Sequence, residues 1–177
     1  MLRGPRLYLG PLLPKDQEAL MSWADDPELA AYNEVYRPAN WAMQQARWAT
    51  QEASRIEFAL RLASDAPLIG FVQLTHIDVL HQSAQVGVCI GDQRFHRQGY
   101  ASEALRLLED YARTHLRLTR LSLQVLARHQ AARDLYRQLG FVEEGLLRHA
   151  LFLAGRWQDV VIMAKIHPSR EIDLLSC

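Results

Sequence analysis

The chain has 177 residues, 49% of them hydrophobic, and its 20 Lys plus Arg balance 20 Asp plus Glu at a pI of about 7.1. That length supports one domain with a substantial core, and zero formal net charge excludes a global field that would draw nucleic acid or a membrane surface. An anionic ligand must then be met by local basic residues, and because Lys15 and Lys165 are the only lysines these are arginines, whose guanidinium suits forked contacts to phosphate.

The opening Met1-Leu2-Arg3-Gly4-Pro5 lacks the apolar core of a signal peptide, and no run approaches the ~20 apolar residues of a membrane span, so a soluble cytoplasmic protein is expected. Arg6-Leu7-Tyr8-Leu9 reads as a short strand ended by Gly10-Pro11. From Pro14 to Trp23 a leading proline, acids in the first turn and an apolar stripe spell a helix. Asp25 to Asn40 loses its period, carrying Pro27 and Pro38 with Tyr32, Glu34 and Tyr36, and reads as loops with a helical turn. Helical spacing returns from Trp41 to Ala53. Ile56 to Leu62 alternates as a half-buried strand, and Asp65-Ala66-Pro67 turns it into a second strand, Leu68 to Leu74.

A loop through His76, Asp78, His81 and Ser83 leads into a third strand, Ala84 to Ile90. Tyr100, Ala104, Leu105, Leu108, Tyr111 and Ala112 then recur at helical spacing. Leu121 to Val125 is a strand, Gln130 to Leu139 a helix closed by Gly140, and Phe141 to Leu153 with Trp157 to Ile166 a hairpin around Ala154-Gly155. One domain over residues 1–166, followed by a polar tail over 167–177, accounts for the pattern. An antiparallel meander combined with one β-α-β crossover gives an α/β (α+β) fold, a mixed and mostly antiparallel sheet of about seven strands with about four helices on both faces. Cys89 and Cys177 do not form a disulfide framework, and the seven histidines show no close-spaced ligand motif, so no metal is expected.

Two segments carry chemistry. In Arg94-Phe95-His96-Arg97-Gln98-Gly99-Tyr100-Ala101-Ser102 a basic turn joins a strand to a helix. The first N–H groups of a helix have no intrahelical partner and carry partial positive charge, so an anion is favoured there. Gly99 allows close approach, and Ala101 and Ser102 do not obstruct it. The second segment is His129-x-x-Ala132-x-x-Leu135-Tyr136-x-x-Leu139-Gly140-Phe141.

The ordered pair resembles the GNAT superfamily of N-acetyltransferases, in which Arg/Gln-x-x-Gly-x-Gly/Ala opens a helix and a later helix carries a Tyr ahead of Leu-Gly-Phe. Arg6 to Leu9 and Gly155 to Val160 extend the likeness to the RimJ/RimL-like branch. The resemblance implies acetyl-CoA as acyl donor and an amine acceptor, a small molecule or a protein N-terminus, while the histidine spacing and the charge balance give no reason to expect a metal, nucleic acid or a membrane as partner; family habit implies a homodimer. It places pantetheine along the backbone of Val88, Cys89 and Ile90, pyrophosphate on the N–H groups around His96, Arg97, Gln98, Gly99, Tyr100, Ala101 and Ser102, and His129 beside the cofactor. Tyr136 becomes the general acid for the leaving thiolate, since phenol and thiol have reference pKa values of about 10 and 8.5.

Three positions depart from the family pattern. His96 stands where Arg or Gln is usual, His129 where Asn is usual, and Gln85 where many relatives carry a Glu able to act as base. Glu34, between Tyr32 and Tyr36 in the segment that lines the acceptor site in this family, is the first candidate base, with Asp78, His76 and Glu57 behind it. The same departures motivate an alternative, a catalytically reduced CoA-binding regulatory module. A nucleotide-binding enzyme is disfavoured because both Gly-x-Gly-x-x-Gly and Gly-Lys-Ser/Thr are missing.

Overall fold

The structure, a computed structural model, describes residues 1–26, 29, 40–49, 53–63 and 66–168. In chain order these form β1 (Leu2–Arg3), β2 (Tyr8–Gly10), a 3-10 turn at Pro14–Asp16, α1 (Gln17–Ala24), α2 (Trp41–Ala49), β3 (Ile56–Arg61), β4 (Gly70–Asp78) and β5 (Ser83–Ile90). There follow α3 (Tyr100–His115), β6 (Arg120–Leu126), α4 (Gln130–Gln138), β7 (Val142–Leu153) and β8 (Arg156–Ile166). The strands make one eight-stranded sheet in the order β1-β2-β3-β4-β5-β6-β8-β7. Every neighbouring pair is antiparallel except β5 and β6, which are parallel and linked through α3.

Period-two burial builds the two faces. Leu60, Val72, Leu74, Ala84 and Val86 turn to one side, where α3 lays down Ala104, Leu105, Leu108 and Ala112, an i, i+1, i+4, i+8 stripe with no side chain exposed. The alternate residues Ala59 and Phe71 turn to the other side, against Leu20 and Trp23 of α1. Helices therefore lie on both faces. Among the described residues no helix is long and apolar enough to cross a membrane.

Two expectations need adjustment. The sheet has eight strands because Leu2–Arg3 pairs back on Tyr8–Leu9; two residues beside Gly4-Pro5 are too few to show a period. Strand β4 continues past Leu74 to Asp78, passing an irregularity between Thr75 and Asp78 with His76 at φ 50. A bulge of that kind breaks the alternation that sequence reading relies on.

Two contacts govern stability. Asp16 of the 3-10 turn accepts a hydrogen bond from the Arg61 guanidinium in β3 and another from Leu13 N–H at 2.7 Å, and both charged side chains are 3% exposed or less. Among the described residues Arg61 Nη1 has no hydrogen-bond partner. Nearby, paired with Leu60 on its β3 side, Gly70 faces Ile90 across β4 and β5, and a Cβ added there would lie 2.2 Å from the Cys89 carbonyl oxygen. Since both parties to that clash are backbone, Gly70→Ala is expected to cost about 3 kcal/mol, read as a lower denaturation midpoint.

Candidate active site

Strands β5 and β6 touch only at Ser83–Gln85 against Arg120–Ser122. Beyond that point β5 stays with β4 as far as Gly70↔Ile90, while β6 stays with β8 as far as Leu126↔Val160. The middle of the sheet thus opens into a gap, with one edge of Val86–Ile90 unpaired among the described residues. Backbone N–H and C=O groups seldom lack partners inside a domain, so an unpaired edge there is suited to an extended ligand.

The same strand runs directly into the basic turn. Gly91 permits the exit, because a Cβ there would fall 1.9 Å from the Trp23 ring of α1. Asp92 accepts from Arg94 N–H at 3.0 Å and from the Arg94 side chain at 2.6 Å, so Arg94 is committed within the turn. His96 Nε2 donates to the Ile90 carbonyl at 2.8 Å, which fixes the tautomer and ties the turn back to the strand end. Arg97 has φ 58 and Gly99 φ 83. Left-handed residues in such a turn make backbone N–H groups converge into an anion-binding concavity.

Gly99 is the N-cap of α3 and supplies no side chain to the helix end. The first helical bond is Glu103 N–H to Gly99 C=O at 3.1 Å. Among the described residues the N–H groups of Tyr100, Ala101 and Ser102 have no acceptor, and the exposed Arg97 guanidinium forms no ion pair. All the pieces of an anion site are in place. The sequence pointed to this turn but not to Arg6, which lies against it: Arg6 Nη1 donates to the Gln98 carbonyl at 2.9 Å. No local motif marks Arg6, since its partners lie more than ninety residues away.

Across the gap, α4 follows β6. Its end is a Schellman motif, with Phe141 N–H bonded to Tyr136 C=O at 3.0 Å, Gly140 N–H to Arg137 C=O at 2.9 Å, and Gly140 at φ 88. The Leu139-Gly140-Phe141 signature is thereby explained as a helix stop that returns Phe141 to the core, where its ring meets Tyr136 edge-on at 5.8 Å. Tyr136 is 8% exposed, and its hydroxyl bonds to none of the described residues. Burial pushes its phenol up to about 12, so it carries its proton throughout the neutral range. Burial likewise pushes the Cys89 thiol up to about 11. His129, half-buried at the N-cap of α4, is held below the usual imidazole range, first by burial and then by Arg128.

The structure gathers Val88, Cys89, Ile90, His96, Arg97, Gln98, Gly99, Tyr100, Ala101 and Ser102 along one continuous path from strand to helix. Tyr32, Glu34 and Tyr36 lie outside the described residues. Asp78 is placed differently: it pairs with Ser83 at the joined end of β5 and β6, and accepts from His81 N–H at 2.9 Å and from the His81 ring at 2.8 Å. Those bonds, the backbone one foremost, hold its carboxyl below the usual range. Glu57 is tied to Arg55 at 3.3 Å, and Arg55 in turn donates to Gln73 at 2.7 Å. Among the described residues no three His, Cys, Asp or Glu side chains are grouped to hold a metal ion.

Comparison with known proteins agrees with this geometry. The model of the acetyltransferase (GNAT) domain matches residues 6–142. A spermidine N(1)-acetyltransferase of Vibrio cholerae is 38% identical over 93 residues, covering 52% of this chain and 53% of that protein. The probable N-acetyltransferase YjcK of Bacillus subtilis is 29% identical across 97% of this chain and 99% of its own. The crystal structure of spermidine N-acetyltransferase from V. cholerae in complex with CoA and spermine superposes with a TM-score of 0.84 at 26% identity, covering 94% of this chain and 98% of that one. In sequence, the match spans about half the length of the Vibrio spermidine acetyltransferase. With a family match over most of its length and a sheet that opens beside a helix-capping turn, this chain belongs to the GNAT acetyltransferase family, whose acyl donor is acetyl-CoA.

Proposed function

We propose that the protein transfers an acetyl group from acetyl-CoA to a primary amine by direct attack in a ternary complex. The observation that carries this reading is the unpaired β5 edge leading without interruption into the anion turn. Together they suit a ligand with an extended amide arm at one end and phosphates at the other. Val88, Cys89 and Ile90 offer backbone to the pantetheine arm, and the N–H groups of Gly99 to Ser102 with the Arg97 guanidinium receive the pyrophosphate. Tyr136 holds the proton that the leaving thiolate needs.

A direct route is favoured over an acyl-enzyme by Cys89, whose thiol at about 11 is roughly one part in ten thousand ionised at pH 7. Glu34 remains the proposed base and Tyr32 and Tyr36 proposed walls of the acceptor site. The Vibrio cholerae protein named above is a spermidine acetyltransferase, which motivates a polyamine as the first acceptor to try. Incubation with acetyl-CoA and a panel of polyamines, amino-terminal peptides and small amines, read by mass spectrometry and thiol release, tests the reading. Acetylated product supports it; tight CoA binding with no transfer to any acceptor supports the regulatory CoA-binding module instead. The sheet edge at β7 exposes Val142, Leu146 and Leu147 at 66%, 53% and 41%, which supports the homodimer, and light scattering at twice the 20.3 kDa chain mass is the expected result.

A further inference from the structure

We propose that Arg6 is a positioning residue that holds the turn before α3 in its phosphate-accepting form, an inference that rests on the CoA reading above. Arg6 sits at the tip of the β1–β2 hairpin, far in sequence from the turn it touches. Its Nη1 donates to the Gln98 carbonyl at 2.9 Å, its Nε to Glu103 Oε2 at 2.9 Å, and its guanidinium lies 4.8 Å from the centre of the Tyr100 ring. A Cβ on Gly99 would approach Arg6 Nη2 to 3.2 Å. The backbone N–H groups of Arg6 and Leu7 donate to Glu103 Oε1 at 2.8 and 3.0 Å.

Two physical effects follow from these contacts. In a trans peptide the C=O and N–H point in opposite directions, so drawing the Gln98 carbonyl to Arg6 aims the Gly99 N–H away from Arg6, toward the open side of the turn. Glu103 stands in the first turn of α3, where its carboxylate would compete with a phosphate for the same positive helix end. The Arg6 guanidinium cancels that charge. Burial alone would raise the Glu103 carboxyl, yet the bonds from Arg6 and Leu7 outweigh it and hold the group below the usual range. Glu103 is therefore ionised, and without the Arg6 guanidinium its charge would be met only by the backbone N–H groups of residues 6 and 7.

The test compares the wild type with Arg6→Ala, Arg6→Lys and Arg6→Ala/Glu103→Gln, measuring CoA binding by calorimetry and KM for acetyl-CoA against KM for S-acetyl-pantetheine, which lacks the pyrophosphate. Arg6→Ala is expected to weaken CoA binding about tenfold and to move KM for S-acetyl-pantetheine by less than about twofold, with the double variant regaining part of the loss. Arg6→Lys keeps the charge but not the fork, and is expected to fall between; it also decides the matter should Arg6→Ala unfold. Wild-type CoA affinity in both single variants, or equal loss toward both thioesters, would overturn the role of Arg6. A wild type that uses S-acetyl-pantetheine as well as acetyl-CoA would instead remove the phosphate reading of the turn itself.

Discussion

Tyr136→Phe is expected to lower kcat about 100-fold while leaving the Kd for CoA within about twofold. The substitution removes one hydroxyl from a ring that stays packed edge-on against Phe141, so the fold and the turn before α3 are expected to be untouched. In the mechanism proposed above, what is lost is the proton for the leaving thiolate. Burial lifts the phenol to about 12, which keeps it protonated at neutral pH and so able to give a proton to a leaving thiolate. The acid must be protonated to act, and its folded value lies above the ordinary one. Its contribution is thus complete at neutral pH and disappears only as pH rises through about 12. A kcat profile without a descending limb from Tyr136 between pH 6 and 10, and a Phe variant with the same profile at lower height, are the expected results. Unchanged turnover in the variant would remove Tyr136 from the mechanism.

Asp16→Ala is expected to destabilise the fold by about 3–5 kcal/mol, the usual result of stripping a buried charge of its partner. Arg61 is 2% exposed and one of its terminal nitrogens already lacks a hydrogen bond among the described residues, so the loss of Asp16 would leave the guanidinium poorly compensated. Leu13 N–H would lose its acceptor as well. Urea unfolding measures the change, and Asp16→Ala/Arg61→Met separates its causes. If the unpaired cation is what costs, the double variant recovers most of the stability; if the turn itself depends on Asp16, it does not.

Much of this was legible in the sequence because it is local. Leu105, Leu108 and Ala112 announce their helix by spacing alone, and Gly99 and Gly140 sit at the two positive-φ positions that the flanking helix ends require. The gap between β5 and β6 is not local. It depends on pairing that stops after Gln85, and no property of Val86 to Ile90 distinguishes a strand with two neighbours from a strand with one. Resemblance supplied that feature; periodicity could not. Arg6 and Glu103 were overlooked for a related reason, since each reads as an ordinary surface charge until the hairpin folds over the turn. His96 departs from the family pattern, yet its ring has a task in joining the turn to Ile90, which residue type alone does not disclose.

The strand order carries a consequence for how the molecule comes into being. β8 is an inner strand, lying between β6 and β7, although it follows both in the chain. A ribosome delivers residues in sequence, so when β6 and α4 have emerged the outer edge of β6 is bare, and it stays so until Val160 to Ile166 have been made. The half of the sheet formed by β6, β7 and β8 is therefore the last to close, and the nascent chain spends that interval with an open β-edge on β6, where a holding chaperone would have most to protect.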